Sequence, residues 1–151
     1  MTDDAEFERF AREALPRLRR ALAPSRGVDQ AADAAAEALA WAWEHWDEVS
    51  KMDNPLGYLY RVGQSKSRVR RQGLLPSPAA VGVVDVEPAL VEALRRMSAR
   101  QRTAVWLVHG CAWRPGEAAQ AMGVSVSSVA THAERGLARL RSALKVTIDD
   151  A

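Results

Sequence analysis

The sequence has a single cysteine, Cys111, among its 151 residues. An internal disulfide is therefore excluded, and the cysteine usage gives no sign of an oxidising compartment. No apolar run approaches the roughly 20 residues that a membrane-spanning helix needs. The N-terminal stretch is acidic and lacks the basic-then-apolar order of a signal peptide. We expect a cytoplasmic protein without membrane insertion.

Glycine and proline are also few, with 9 and 7 residues, and the large aromatic side chains are limited to five Trp, two Tyr and two Phe. Alanine, the best helix former, supplies 28 residues. Because most apolar side chains are small, this composition favours helices packed closely on one another over one thick core of large side chains. It predicts an all-α protein.

Residues that carry catalysis are scarce as well. Three His and one Cys are the only soft metal ligands, and no second pair completes a zinc set with His109 and Cys111. The sequence has no phosphate-binding glycine loop and no nucleophile motif. We therefore expect no enzymatic activity, no metal and no cofactor.

The charges are segregated along the chain, although the net charge is only +2. Residues 1–50 are acidic, residues 51–72 are strongly basic, residues 73–92 contain acids only, and residues 93–148 are basic again. Two basic blocks separated by an acidic one predict two surfaces that contact a polyanion. The acidic first third favours an additional, basic protein partner.

Apolar residues at helical spacing predict two helices in the acidic third. The first spans residues 5–23, with a kink or restart at Pro16, and is followed by a turn at residues 24–27. The second spans residues 30–46, with Asp29 as its cap. Its predicted core stripe consists of Leu39, Trp43 and Trp46.

Asn54-Pro55 is typical of a helix start, and we expect that helix to reach Gln72. Residues 73–87 contain Gly and Pro without periodicity and are interpreted as a flexible linker between two small helical domains, residues 1–72 and 88–148. Helices are predicted near residues 88–97, 99–110, 115–122 and 126–145. We expect the two domains to move independently in the free protein.

The strongest single motif is a helix-turn-helix at residues 115–144. Gly123 suits the tight turn, and Ser125 is a natural N-cap for the second helix. The predicted inward stripe of that helix is Val129, Ala133, Gly136 and Leu140. The opposite face presents Ser127, Ser128, Thr131, His132, Arg135 and Arg139. Small polar groups at the helix start with arginines behind them suit a reader of the DNA major groove.

Residues 93–141 resemble the fourth region of RNA polymerase sigma factors. Arg102, Glu117, the turn Gly123-Val124-Ser125 and Val129 match the family pattern. Residues 33–47, DAAAEALAWAWEHWD, resemble the polymerase-binding helix of the extracytoplasmic-function (ECF) subfamily, and residues 54–72, NPLGYLYRVGQSKSRVRRQ, resemble its promoter-melting helix.

The resemblance implies a transcription initiation factor that binds core RNA polymerase and directs it to specific promoters. Polymerase-binding residues would be Asp33, Glu37 and Trp41, with Trp41 either an exposed anchor or a half-buried packing residue. Contacts to the minus-ten element would come from Asn54, Arg61, Gln64, Ser65, Arg68 and Arg71. The minus-thirty-five element would be bound by Arg114, Ser127, Ser128, Thr131, His132, Arg135 and Arg139. The resemblance also allows an anti-sigma factor as a partner.

Several positions depart from the family pattern. Ala36 stands where Gln is usual, Ala130 and His132 stand where basic residues are common, and Arg114 replaces the usual Ser or Thr cap. Each change removes a polar contact or a cation, so we expect weak or unusual promoter recognition. Two alternatives stay open: a degenerate sigma-like protein that binds polymerase without activating it, and a stand-alone helix-turn-helix regulator.

Overall fold

A computed structural model describes residues 3–66 and 88–149, and all regular structure within these two segments is helical. The N-terminal segment contains α1 (Asp3–Arg26), α2 (Val28–Glu44), α3 (Trp46–Val49) and α4 (Pro55–Lys66). The C-terminal segment contains α5 (Pro88–Arg96), α6 (Ala99–Val105), a π-helical turn (Trp106–Gly110), α7 (Pro115–Met122) and α8 (Val126–Asp149). The all-α prediction is confirmed. The predicted linker 73–87 and the predicted end of the fourth helix, at Gln72, lie outside the described residues.

The first helix is longer than predicted. It runs through Pro16 and Pro24 to Arg26 without a restart, so the turn predicted at residues 24–27 is wrong except for Gly27, whose φ of 85° ends the helix. A proline inside a helix costs about 3 kcal/mol. Here α1 buries a whole stripe against the rest of the protein, and that burial outweighs the cost; its residues are Ala14, Leu18, Ala21 and Leu22.

The start of α2 also differs from the prediction. Gly27 occupies the N-cap position without a side-chain hydrogen bond, and Asp29 lies inside the first turn of the helix. A carboxylate in the first turn still interacts favourably with the helix dipole. Asp29 therefore supports α2 through its charge and not as the predicted cap.

The predicted core stripe of α2 is only partly correct. Leu39 is buried, but Trp43 is 47% exposed. The helix ends at Glu44, so Trp46 falls in α3. Both tryptophans contact Phe7 of α1, with ring centroids 5.0 and 5.3 Å apart. The aromatic residues thus cover one end of the α1–α2 pair.

Local signals in the C-terminal segment were predicted correctly. Ser98 and Gln101 form the expected capping box at the start of α6. Gly123 adopts φ 68° between α7 and α8, and the Ser125 hydroxyl accepts a 3.1 Å hydrogen bond from the Ser128 backbone N–H. The inward stripe of α8 is buried as predicted. The helix-turn-helix is therefore confirmed.

The two helical segments pack against each other. The larger core cluster joins buried residues of α1, α2 and α4 to Leu107, Trp113, Ala118 and Val129 of the C-terminal segment. A smaller cluster lies within the C-terminal segment between α5, α6 and α8. The helix-turn-helix thus contributes α7 and Val129 of α8 to a core that belongs mainly to the N-terminal helices.

Candidate nucleic-acid interface

The recognition face is defined here as the exposed side of α8 opposite its buried stripe. Ser127, Thr131 and Arg135 are exposed on it. The Thr131 hydroxyl donates to the Ser127 carbonyl at 3.0 Å, which fixes its orientation along the helix. Nothing among the described residues covers this face, so the first turns of α8 are free to enter a groove.

Two other predicted recognition residues lie closer to the buried side of α8. Ser128 and His132 are half-buried. The Ser128 hydroxyl accepts a 3.0 Å hydrogen bond from Ser125, so it belongs to the cap of α8. Ser127, Thr131 and Arg135 therefore lie on the recognition face, whereas Ser128 and His132 lie at its edge.

The two remaining arginines predicted for DNA binding lie at the margins of the motif. Arg139 is exposed and donates to the Arg96 carbonyl at 3.0 Å, which ties α8 to α5. Arg114 is exposed at the N-cap position of α7, and its backbone N–H donates to Glu117 Oε1 at 3.0 Å. No serine or threonine caps α7 at this position. The carboxylate of Glu117, inside the helix, accepts the hydrogen bond from the backbone N–H at the helix start instead.

The predicted minus-ten surface begins at the start of α4. Asn54 is half-buried and Arg61 is exposed, and both line a cleft that also contains Gln120, Ser125 and Val126. The Asn54 amide lies close to Gly116, where a Cβ atom would be 3.1 Å from Oδ1. This surface therefore meets the start of the recognition helix directly.

Further along α4, the predicted contact residues differ in exposure and in hydrogen bonding. Gln64 Nε2 donates to the buried Tyr60 hydroxyl at 2.7 Å, and the Gln64 carbonyl accepts from Arg26. Ser65 is exposed, and its hydroxyl donates to the Val62 carbonyl at 3.1 Å. Gln64 thus serves packing as the structure stands. Arg68 and Arg71 lie outside the described residues.

The predicted polymerase-binding residues lie on α2. Asp33 and Glu37 are exposed one turn apart, whereas Trp41 is half-buried. The Trp41 ring stacks on His45 at a centroid distance of 4.2 Å and contacts Tyr58 at 5.4 Å. Of the two roles open to Trp41, the structure shows the packing role.

An ion pair joins the two helical segments. Arg17 of α1 donates two hydrogen bonds to the Glu117 carboxylate of α7, at 2.8 and 3.1 Å. Burial alone would raise the pKa of Glu117, but the hydrogen bonds from Arg17 and from the Arg114 backbone, together with both positive charges, lower it. The pair therefore stabilises the fold above the pH at which an unfolded glutamate titrates, and this contribution is lost as pH falls through the lower folded-state pKa.

Sequence reasoning missed two functional candidates. Arg17 of α1 was not predicted, because no local pattern indicates an ion pair with Glu117, which is 100 positions away. Glu134 is exposed on α8 but was not among the predicted contacts, which were small polar residues and cations. A helical projection of α8 places it near Thr131 and Ser127, which is the signal that could have found it.

The comparisons with known proteins agree with this geometry. Residues 88–140 match the family Sigma-70, region 4. A solved structure, the sigma factor RpoE in complex with the anti-sigma factor NepR from Bartonella quintana, is similar to this chain with a TM-score of 0.66 and 26% identity. That match covers 93% of this chain and 98% of the other chain. Among curated proteins, none matches the sequence.

A helix-turn-helix of the sigma-70 region 4 family, with its recognition face exposed, makes this chain a DNA-binding transcription factor. The likeness to a sigma factor over nearly its whole length carries the assignment further, because together with the region 4 match it supports an ECF sigma factor. Members of this class bind core RNA polymerase and promoter DNA and are not themselves enzymes. Within residues 3–66 and 88–149, no helix is long and apolar enough to cross a membrane.

Proposed function

We propose that this sigma factor binds core RNA polymerase through the exposed face of α2 and directs it to promoters read at two sites. Arg61 and Asn54 contact the minus-ten element, and the recognition face of α8 enters the major groove at the minus-thirty-five element. The observation that carries the proposal is the exposed face of α8, with Ser127, Thr131 and Arg135 opposite a fully buried stripe. The protein acts in the cytoplasm and catalyses no reaction itself.

An anti-sigma factor is included in the proposal as a regulatory partner. The similar RpoE chain was solved in complex with one, and the match covers 93% of this chain and 98% of the RpoE chain. The surfaces available for such a partner here are the exposed face of α2 and the outer face of α5 and α8. The latter is lined by Glu92, Arg96 and Arg139.

Run-off transcription with core enzyme, this protein and promoters selected from a DNA library tests the proposal. A protein-dependent transcript from a selected promoter supports it. Polymerase binding without a transcript indicates the degenerate sigma-like alternative, and DNA binding without polymerase binding indicates a stand-alone regulator. Either of these two outcomes contradicts the proposal.

The polymerase-binding face gives a specific prediction. Glu37→Lys is expected to weaken core polymerase binding by about tenfold or more, because it places a cation where a carboxylate faces a basic partner; tenfold corresponds to about 1.4 kcal/mol. Glu37 is exposed, so the helix content by circular dichroism should stay unchanged. The affinity is measured by titrating labelled protein with core enzyme.

Glu13→Lys is the matched control. It makes the same charge reversal at an exposed position of α1. If Glu37→Lys binds polymerase as tightly as the wild type, or if both variants lose affinity equally, then the face of α2 is not the contact surface.

A further inference from the structure

The second half of α1 carries an unbalanced positive charge. Residues 14–26 contain four arginines and no acid, whereas the first turn of the same helix holds Asp3, Asp4 and Glu6. The sum over residues 1–50 is acidic and hides this division. The helix therefore has a basic half within a segment that is acidic as a whole.

Three arginines, called the arginine row here, lie along one side of α1: Arg12, Arg19 and Arg26. They are seven positions apart, which is close to two helical turns, so successive members differ by only about 20° in direction and lie about 10.5 Å apart along the axis. They point roughly 135°, 115° and 95° away from the middle of the buried stripe of α1. Arg12 and Arg19 are accordingly exposed, and Arg26 is half-buried.

The exposed members of the row differ from the other arginines in the same half of α1. Arg17 is paired with Glu117, and the Arg20 guanidinium lies 6.0 Å from the centre of the Trp106 ring. Within residues 3–66 and 88–149, by contrast, neither Arg12 nor Arg19 forms a hydrogen bond or an ion pair. Each guanidinium has five N–H donors, so both groups can bind an anion from outside the protein.

The row is joined to the end of α4. The Arg26 guanidinium donates a hydrogen bond to the Gln64 carbonyl in the last turn of that helix. The sequence that follows α4, residues 67–72, contains three arginines and no acid. The arginine row thus begins where the basic block of the chain begins, and it extends this block onto a second helix.

We propose that Arg12 and Arg19 bind two phosphate groups of the DNA backbone beside the minus-ten element. Arginine forms charge-assisted hydrogen bonds with phosphate, often two at a time. Contacts of this kind hold the protein in register on DNA and carry no sequence information. The position beside the minus-ten element rests on the proposed function, whereas the binding of phosphate does not.

The length of the row sets the spacing of the phosphates. Neighbouring phosphates of one strand are about 3.4 Å apart along the axis of B-DNA. The distance of about 10.5 Å between Arg12 and Arg19 therefore corresponds to about three nucleotides. From Arg26 to Arg12 the row is about 21 Å long, or about six nucleotides.

A salt titration of the free full-length protein tests the binding of phosphate. The double variant Arg12→Ala, Arg19→Ala and the wild type are titrated with a random-sequence duplex and with single-stranded DNA. Loss of two contacts should reduce the slope of log affinity against log salt by about 1.8 on the duplex or about 1.4 on the single strand. On the duplex, the advantage of the wild type should then shrink about 12-fold between 50 and 200 mM salt.

Two further variants control for charge and for side-chain identity. Arg95→Ala, Arg100→Ala removes two exposed arginines of the C-terminal segment and should leave the slope close to that of the wild type. Arg12→Lys, Arg19→Lys keeps both charges and should retain the slope as well. All four positions are exposed, so circular dichroism should show unchanged helix content.

The outcomes separate the two forms of DNA. A slope difference on the duplex supports contacts to paired DNA, and one on the single strand alone supports contacts to the displaced strand. Equal slopes for the wild type and Arg12→Ala, Arg19→Ala on both probes would overturn the proposal. So would an equal loss in Arg95→Ala, Arg100→Ala, because the effect would then come from net charge alone.

Phosphate ethylation interference with the holoenzyme on a selected promoter locates the contacts. Ethylation of two phosphates about three nucleotides apart beside the minus-ten element should weaken binding of the wild type and not of Arg12→Ala, Arg19→Ala. Identical interference patterns for the two proteins would refute this placement. If run-off transcription fails, the salt titration still measures the arginine row, and if the titration fails, recognition of the two promoter elements is unaffected.

Discussion

Leu59→Ala is expected to lower the free energy of unfolding by about 2–5 kcal/mol, the range for truncating a buried leucine. Leu59 is fully buried in α4. This helix packs on α1 and α2 of its own segment and on α7 of the C-terminal segment. Leu59 belongs to the larger core cluster, so a cavity there collapses only if whole helices move, which favours the upper part of that range. Urea unfolding followed by circular dichroism measures the loss.

Val28→Ala provides the matched control for Leu59→Ala. Val28 is 49% exposed at the start of α2, so its truncation removes methyl groups that are largely in water already. We expect a change within about 0.5 kcal/mol, as for other surface substitutions. Losses of similar size in both variants would show that α4 is not enclosed as described.

Arg135→Ala is expected to weaken binding to a selected promoter, because Arg135 is the first cation on the recognition face. If the guanidinium contacts phosphate, affinity should fall for all sequences and the salt dependence should decrease by about one unit of slope. If it reads guanine, the loss should be about 1–3 kcal/mol and confined to sites that carry that base. Titrations across a range of salt concentrations distinguish the two.

Arg95→Ala is the control for Arg135→Ala, since it removes an exposed arginine that belongs to α5 and not to the recognition face of α8. An Arg135→Ala protein with the affinity and salt slope of the wild type would show that α8 does not dock in the groove.

Much of the C-terminal segment could be predicted from sequence because its signals are local. The Ser98–Gln101 capping box, the turn at Gly123 and the Ser125 cap each depend on residues within four positions of one another. The periodicity of α8 predicted its buried stripe and therefore its exposed recognition face. The same periodicity also predicts that Glu134 is exposed, as it is in the structure.

The N-terminal helices were harder because packing competes with local propensity there. Pro16 and Pro24 favour a break, yet burial of the α1 stripe keeps one helix from Asp3 to Arg26. Trp43 fits a core stripe by spacing, but α2 ends one residue later, and its ring stays at the margin against Phe7. Helix propensity changes the free energy of folding by a few kcal/mol at most, and the burial of several apolar side chains contributes more.

By itself, the sequence determined the helical class, the helix-turn-helix with its turn and cap, and the alternation of acidic and basic segments. Those features arise from composition and from contacts within one or two helical turns. Only the tertiary structure decided that Gly57 meets the backbone of α7, that Arg17 pairs with Glu117, and that Cys111 faces α1. Such contacts join residues 60 to 100 positions apart, and no periodicity within either segment specifies which surfaces meet.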